Sequence, residues 1–330
     1  MSHFRKNNSS YLNAGVLIAI ILYGAVLYFV PLQSKTFSFF DTTFINDNGV
    51  INNIDIPKIF NAFNTRFLVG LSFALNYRWC GLHPAGYRLI NLLIHCLNAF
   101  LVYLLVRSTL YLWSARRPKL NGDVYQLRLI GRRHHLIPAF FASILFLCHP
   151  IQTEPVNYIT QRLVLMGTFF YLLTLVLYIQ YRCCYKKRYM IASVVSAIAA
   201  MFCKEFVVTL PVMLALYDFY FLGPFNGPVW KRCRRLVPFF IIPLIVPLLL
   251  LRAPKEVLEV ADIASSNFVQ VSNTQKVVKH VDITRDYSSF SRKEYFLTEL
   301  NVVCTYVRLL FLPINQNYDY DYPISYQVDN

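Results

Sequence analysis

The sequence predicts an all-α membrane protein, a multi-pass bundle of seven or eight transmembrane helices, and three observations carry that prediction. Hydrophobic residues fill 56% of the 330 positions and charged residues only 15%, against about 25% charged in an average soluble domain. Mean hydropathy is +0.43. The apolar residues also come in long runs separated by short basic turns, the pattern of successive membrane crossings.

The first run, residues 12–32, holds no charge and is long enough for a hydrocarbon core about 30 Å thick. A Ser/Thr/Phe-rich segment follows it instead of a small-residue cleavage pattern, so it reads as a retained first helix and not as a signal peptide. Further spans are expected at 89–113, 136–148, 163–181, 189–203, 206–222 and 236–251, with 302–312 as the eighth. Several are shorter than the roughly 20 residues a lone helix needs, so polar turns must extend them or protein must line them.

The connections divide by charge. Arg5 and Lys6, then Arg107, Arg116, Arg117, Lys119, Arg128, Arg132 and Arg133, then Arg182, Lys186, Lys187 and Arg188, then Lys231, Arg232, Arg234 and Arg235 all fall on one side. That side is expected to be the cytoplasm, with Met1 inside. The net charge of +15 is thereby explained by topology and anionic membrane lipids, and no nucleic acid is expected. Only Asp123 and Asp218 lie on the basic side. Carboxylate chemistry is therefore expected on the outer, extracytoplasmic face.

Eight cysteines form no CxxC pair, and they read as small apolar residues, with no metal site expected. There is no GxGxxG, GxxxxGK[ST] or GxSxG, so no nucleotide fold and no cofactor is expected. Two long outer segments remain. Residues 34–88 contain the apolar-periodic stretches 56–63 and 67–79, expected as interfacial helices along the membrane surface. Residues 252–301 are polar, of mixed charge, and read as a loop domain, lid or cap.

The outer hairpin HPIQTEPVNYITQR, residues 149–162, places His149, Glu154 and Arg162 between two apolar runs. Lys204-Glu205 forms another outer turn. Ionisable residues at membrane depth are costly and mark partners or pathways. Glu154 with Arg162, or Lys204 with Glu205, also reads as a plain ion pair at a helix end. Their shared face favours a site in which Arg162 and Lys204 meet an anionic lipid headgroup.

Four blocks in register resemble the transmembrane and tetratricopeptide-repeat-containing protein O-mannosyltransferases and their bacterial relatives. They are Thr65-Arg66 through His83-Pro84-Ala85-Gly86-Tyr87-Arg88 to His95, the HPIQTEPV hairpin with Arg162, Lys204-Glu205 through Pro211 to Tyr217-Asp218, and Tyr306-Val307-Arg308 through Pro313 to the run YDYDYP that ends at Pro323. The resemblance implies a C-type multi-pass glycosyltransferase that takes a mannose-like sugar from a polyprenyl or dolichyl phosphate and passes it to a protein Ser/Thr hydroxyl. In that chemistry a carboxylate takes the acceptor proton, and fixed cations stabilise the departing phosphate. It implies Asp41 as base, Arg162 and Lys204 on phosphate, Glu154 and Glu205 orienting those cations or holding sugar hydroxyls, and His149 donating to phosphate or capping its turn.

The family pattern has two adjacent acids in the first outer loop. Here the order is Phe39-Phe40-Asp41-Thr42, with Asp47 as the second candidate base. The chain also ends at Asn330 without tetratricopeptide repeats, so it is expected to be a minimal or truncated enzyme, or a pseudoenzyme. The alternative is a non-catalytic membrane scaffold or lipid-binding protein of the same fold. One membrane domain is expected over 1–330: a first span in 1–33, an outer loop in 34–88, a helical core in 89–251, a second outer loop in 252–301 and a terminal short span with outer tail in 302–330. Its expected place is a bacterial inner membrane or the endoplasmic reticulum, with the active face expected to be periplasmic or lumenal.

Overall fold

The computed structural model describes residues 2–37, 41–42, 45, 49–115, 135–222, 229–244 and 292–317, and among these every regular element is a helix or helical turn. Asp47 and most of 252–301 lie outside the described residues. The chain divides into two compact units, Met1–Leu251 and Arg252–Asn330. In the second, one helix is described, Arg292–Phe311.

The first unit opens with α1, Ser2–Leu27, and the short α2, Phe29–Leu32. Then α3, Ile56–Phe63, and α4, Phe67–Cys80, occupy the two stretches expected as interfacial helices. Asp55 starts α3 by accepting from the Lys58 N–H at 3.2 Å, and the following Pro57 suits a first helical turn. The two helices touch closely where Gly70 faces Phe63. A Cβ at Gly70 would lie 2.4 Å from that ring, so only glycine permits this approach.

Next come α5, Pro84–Ala115, and α6, Leu136–Cys148. Pro150 stops α6, because the residue before a proline is pushed out of the helical region; His149 is extended, with φ −63° and ψ 126°. The short α7, Thr153–Asn157, continues after the break. Then α8, Arg162–Cys184, and α9, Lys187–Met201, form a tight hairpin. Tyr185 takes the left-handed conformation at the turn, φ 54°. Small polar residues let the two helices approach: Ser193 donates to the Thr174 carbonyl and Ser196 to that of Phe170, both at 3.0 Å, as in membrane helix packing. Finally α10, Leu210–Tyr217, runs into a π-turn at Asp218–Leu222, followed by α11, Val229–Ile241. A buried ion pair of Arg182 with Asp218, with Tyr178 donating to the same carboxylate at 3.1 Å, ties α8 to that turn.

Among the described residues three stretches are long and apolar enough to cross a membrane: Pro84–Ser114, Ile159–Cys184 and Glu205–Leu222. The pair Leu136–Cys148 and Pro150–Asn157, bent by 54°, makes a fourth when taken as one broken span. The described residues do not confirm the expected count of seven or eight. The apolar part of α1, Tyr11–Leu27, is shorter than a full crossing, and α9 has 15 residues. The run at 236–251 leaves the described residues after 244. The run at 302–312 is the second half of Arg292–Phe311, whose first half carries Arg292, Lys293, Glu294 and Glu299.

A polar stripe stitches the crossing helices together. Along α5, Asn91, His95 and Asn98 are fully buried at helical spacing on one side. Each reaches a backbone carbonyl of another element: Asn91 the Ile159 oxygen at 3.3 Å, His95 the Leu147 oxygen at 3.1 Å, Asn98 the Leu165 oxygen at 3.0 Å. One hydrophobic cluster matters most for function. Ile51, Ile59, Val69, Phe73, Tyr87, Ile159 and Cys203 pack together, so the first loop, the hairpin and the Lys204-Glu205 turn share one core.

Candidate functional site

Burial of that shared core brings three distant segments to one end of the bundle, and polar contacts fix their register. Arg88 donates to the carbonyls of Ser34 and Thr36, both at 2.6 Å, and to that of Asn157 at 3.2 Å. One guanidinium thus binds the first loop to the hairpin through its planar fork.

Asp41 is wholly buried. Its Oδ1 accepts from the Thr160 N–H at 2.9 Å and its Oδ2 from the Ile159 N–H at 3.3 Å. These amides open the helical turn that leads into α8, where unpaired N–H groups and the helix dipole favour an anion. Asp41 therefore caps a helix 119 residues away.

The hairpin is held from within. His149 Nδ1 accepts from the Ile151 N–H at 3.2 Å, so this histidine caps its own turn. Gln161 donates from Nε2 to Glu154 Oε1 at 3.2 Å, one residue beyond the amide that holds Asp41.

Arg162 points inward and is fully buried. Its Nε donates to Asn91 Oδ1 at 2.7 Å, and Nη2 donates to Asn76 Oδ1 at 2.7 Å and to the Tyr87 carbonyl at 3.0 Å; Nη1 faces the Ser72 carbonyl and hydroxyl, both at 3.4 Å. The guanidinium also lies 4.6 Å from the Phe73 ring centre and 5.7 Å from that of Tyr87, a cation–π arrangement. Among the described residues it has no salt bridge. All five N–H directions are used by neutral oxygens, so neither an outward orientation nor a pairing with Glu154 is seen.

Above this buried layer lies an exposed one. Arg66 donates from Nε and Nη2 to Glu205 Oε1 at 3.3 and 3.0 Å. Lys204 is half-buried beside it. Burial, first, and the positive charge of Arg66 lower the Lys204 pKa, while Glu205 and Glu154 oppose the shift. Arg66, Glu205 and Glu154 thus all act electrostatically on Lys204. Glu205 pairs with Arg66 instead of its neighbour Lys204, as a strand-like Lys204 backbone, φ −158° and ψ 151°, turns the adjacent side chains to opposite directions. The packing is close: a Cβ on Gly167 would lie 3.1 Å from the Phe206 ring and 3.7 Å from Lys204 Cβ.

The structure therefore brings Glu154, Lys204 and Glu205 together and holds Asp41 through the same hairpin, while Arg162 and His149 serve internal contacts. Arg66 is the residue that sequence reasoning passed over. Its signal was available: a lone arginine between two apolar interfacial helices needs an anionic partner or water. The 139-residue separation from Glu205 gave no way to name it. Among the described residues no group of three His, Cys, Asp or Glu could hold a metal ion.

No family model and no solved structure matches the chain. Curated relatives do. The chain is 31% identical over 153 residues, 46% of its own length and 15% of the relative's, to the protein O-mannosyl-transferase Tmtc1 of Drosophila melanogaster. It is 31% identical over 171 residues to the human protein O-mannosyl-transferase TMTC4, 49% of this chain and 22% of that one. Human protein O-mannosyl-transferase TMTC2 gives 31% over 160 residues, 46% and 16%. The chain spans less than a quarter of the length of these relatives. Over about half of its own length it is homologous to curated protein O-mannosyl-transferases, which bears out the resemblance read from its motifs.

Proposed function

We propose that this chain is a membrane glycosyltransferase that moves a mannose-like sugar from a polyprenyl or dolichyl phosphate to a Ser/Thr hydroxyl of a protein on the extracytoplasmic face. The observation that carries the proposal is the Arg66–Glu205 pair beside Lys204, with Glu154 of the hairpin that holds Asp41 also acting on that lysine, in a chain homologous to proteins named protein O-mannosyl-transferases.

The leaving lipid phosphate gains negative charge, so cations in a partly dry site stabilise it most. Lys204 fills that role, with Arg66 as a second cation. Glu205 holds Arg66 until a phosphate competes for its fork, which matches phosphate as well as carboxylate. Glu154, oriented by Gln161, accepts from sugar hydroxyls. Arg162, whose donors are taken by protein oxygens, acts as the buried strut beneath. Asp41 is assigned the base: the Ile159 and Thr160 amides hold its carboxylate, which must become exposed for the acceptor hydroxyl to reach it.

The complete burial of Asp41 favours a second reading, a non-catalytic scaffold in which this acid only caps a helix. Membranes containing the chain, supplied with labelled polyprenyl-phosphate mannose and a Ser/Thr-rich protein acceptor, separate the two. Labelled protein above the level of empty membranes supports transfer; bound donor without product, in well-inserted protein, supports the scaffold.

A further inference from the structure

At the far end of the bundle from Lys204, helices α10 and α11 leave a groove of about 360 Å³ whose lining is apolar. Ala215 and Phe219 form one wall; Leu236, Val237 and Phe240 form the other. On α11 the lining residues recur at 233, 236, 237, 240 and 241, one stripe of the helix, and from Cys233 to Phe240 it runs about 10 Å at 1.5 Å per residue. Such a trough offers nothing to a sugar or a peptide backbone. It suits hydrocarbon.

Cations stand at one end of the same stripe. Lys231, Arg232, Arg234 and Arg235 fall within five positions, and Val229–Ile241 holds no acid. Lys231 and Arg234 are exposed, and Arg235 Nε finds no hydrogen-bond partner among the described residues. Phe219 joins the two features, since its ring lines the groove while the Arg232 guanidinium lies 5.5 Å from the ring centre. Apolar trough and positive end are therefore one surface with complementary demands: an acyl chain along α11 and a net negative headgroup at its start.

We propose that this groove is a binding site for an anionic phospholipid of the surrounding membrane, distinct from the Lys204 cluster. A zwitterionic phospholipid fits the trough equally well but brings a choline toward four cations, so the selectivity lies in the headgroup.

The test uses the full chain in detergent, titrated with dioleoylphosphatidylglycerol or dioleoylphosphatidylcholine, with bound lipid counted by native mass spectrometry. The parent should prefer phosphatidylglycerol. Lys231→Gln with Arg234→Gln, both at exposed positions, should reduce that preference by roughly five-fold per cation removed while leaving phosphatidylcholine binding unchanged. Val237→Trp, which fills the trough, should lower the bound count for both lipids. Equal binding of the two lipids by the parent, or an undiminished preference in the double variant, overturns the proposal. So does Val237→Trp with unchanged lipid counts and a lower unfolding temperature, because another part of the chain then closes the groove.

Discussion

Replacing Arg162 by Lys and by Met separates a buried strut from a phosphate ligand, because the two roles rank the variants oppositely. Met removes the charge and leaves three close acceptors, Asn91 Oδ1, Asn76 Oδ1 and the Tyr87 carbonyl, without their donor. At about 1–2 kcal/mol for each lost bond to the cation the loss is about 3–6 kcal/mol. Against it stands the relief of no longer burying a cation, worth several kcal/mol, so a net destabilisation of about 2 kcal/mol is expected. Lys keeps that burial cost. It has three donors radiating from one atom in place of five on a planar fork, and it loses most of the stacking on Phe73. Its net loss should be at least as large, about 3 kcal/mol on the same bond values. The conservative change is thus expected to be no better than the apolar one. Thermal unfolding in detergent, followed by tryptophan fluorescence, reads the ranking, and binding of polyprenyl-phosphate mannose by the remaining folded protein reads the ligand role. Parent-like unfolding of both variants, with donor binding kept by Lys and lost by Met, would refute the strut and restore a direct phosphate contact.

Three further outcomes are expected. Asp41→Asn can accept the Thr160 amide with its one oxygen but turns an NH₂ toward the Ile159 amide, so it should lose about 1–3 kcal/mol of stability and abolish transfer, measured by unfolding and by labelled product. The exposed Arg66–Glu205 pair should contribute less than about 1 kcal/mol to folding; Arg66→Gln should weaken donor binding while Glu205→Gln, by freeing Arg66, should strengthen it in the same binding assay. Lys204 has a folded pKa below its usual value, so between that lowered pKa and about 10.5 the unfolded chain binds the extra proton. Stability should rise as alkaline pH climbs through that window, donor affinity should fall there as the ammonium is lost, and Lys204→Met should flatten both profiles.

What the sequence could show was set by how local the physics is. The long apolar runs at 89–113 and 163–181 lie within Pro84–Ala115 and Arg162–Cys184, since hydrocarbon-length hydrophobicity is a property of the run itself. The break at Pro150 and the helices at 56–63 and 67–79 were equally local. Side-chain direction was not. Arg162 reads as an outer cation beside Glu154, yet its position at the first turn of α8 turns it toward Asn91 and Asn76. Polar residues within apolar helices were the available hint, because each must find a partner inside the protein. Asp41 with Thr160, and Arg66 with Glu205, are pairings across more than a hundred residues that only the shared packing of Ile51, Ile59, Phe73 and Cys203 creates.

The central claim, that the charged cluster around Lys204 receives a lipid-phosphate sugar, is met most directly by photocrosslinking. A mannosyl polyprenyl phosphate carrying a photoreactive group next to the phosphate, irradiated with the full chain in membranes and mapped by peptide mass spectrometry, should label the segments containing Arg66, Glu154 and Lys204, with labelling at all three reduced by Lys204→Ala. Label confined to other segments, or unchanged by Lys204→Ala, would contradict the account.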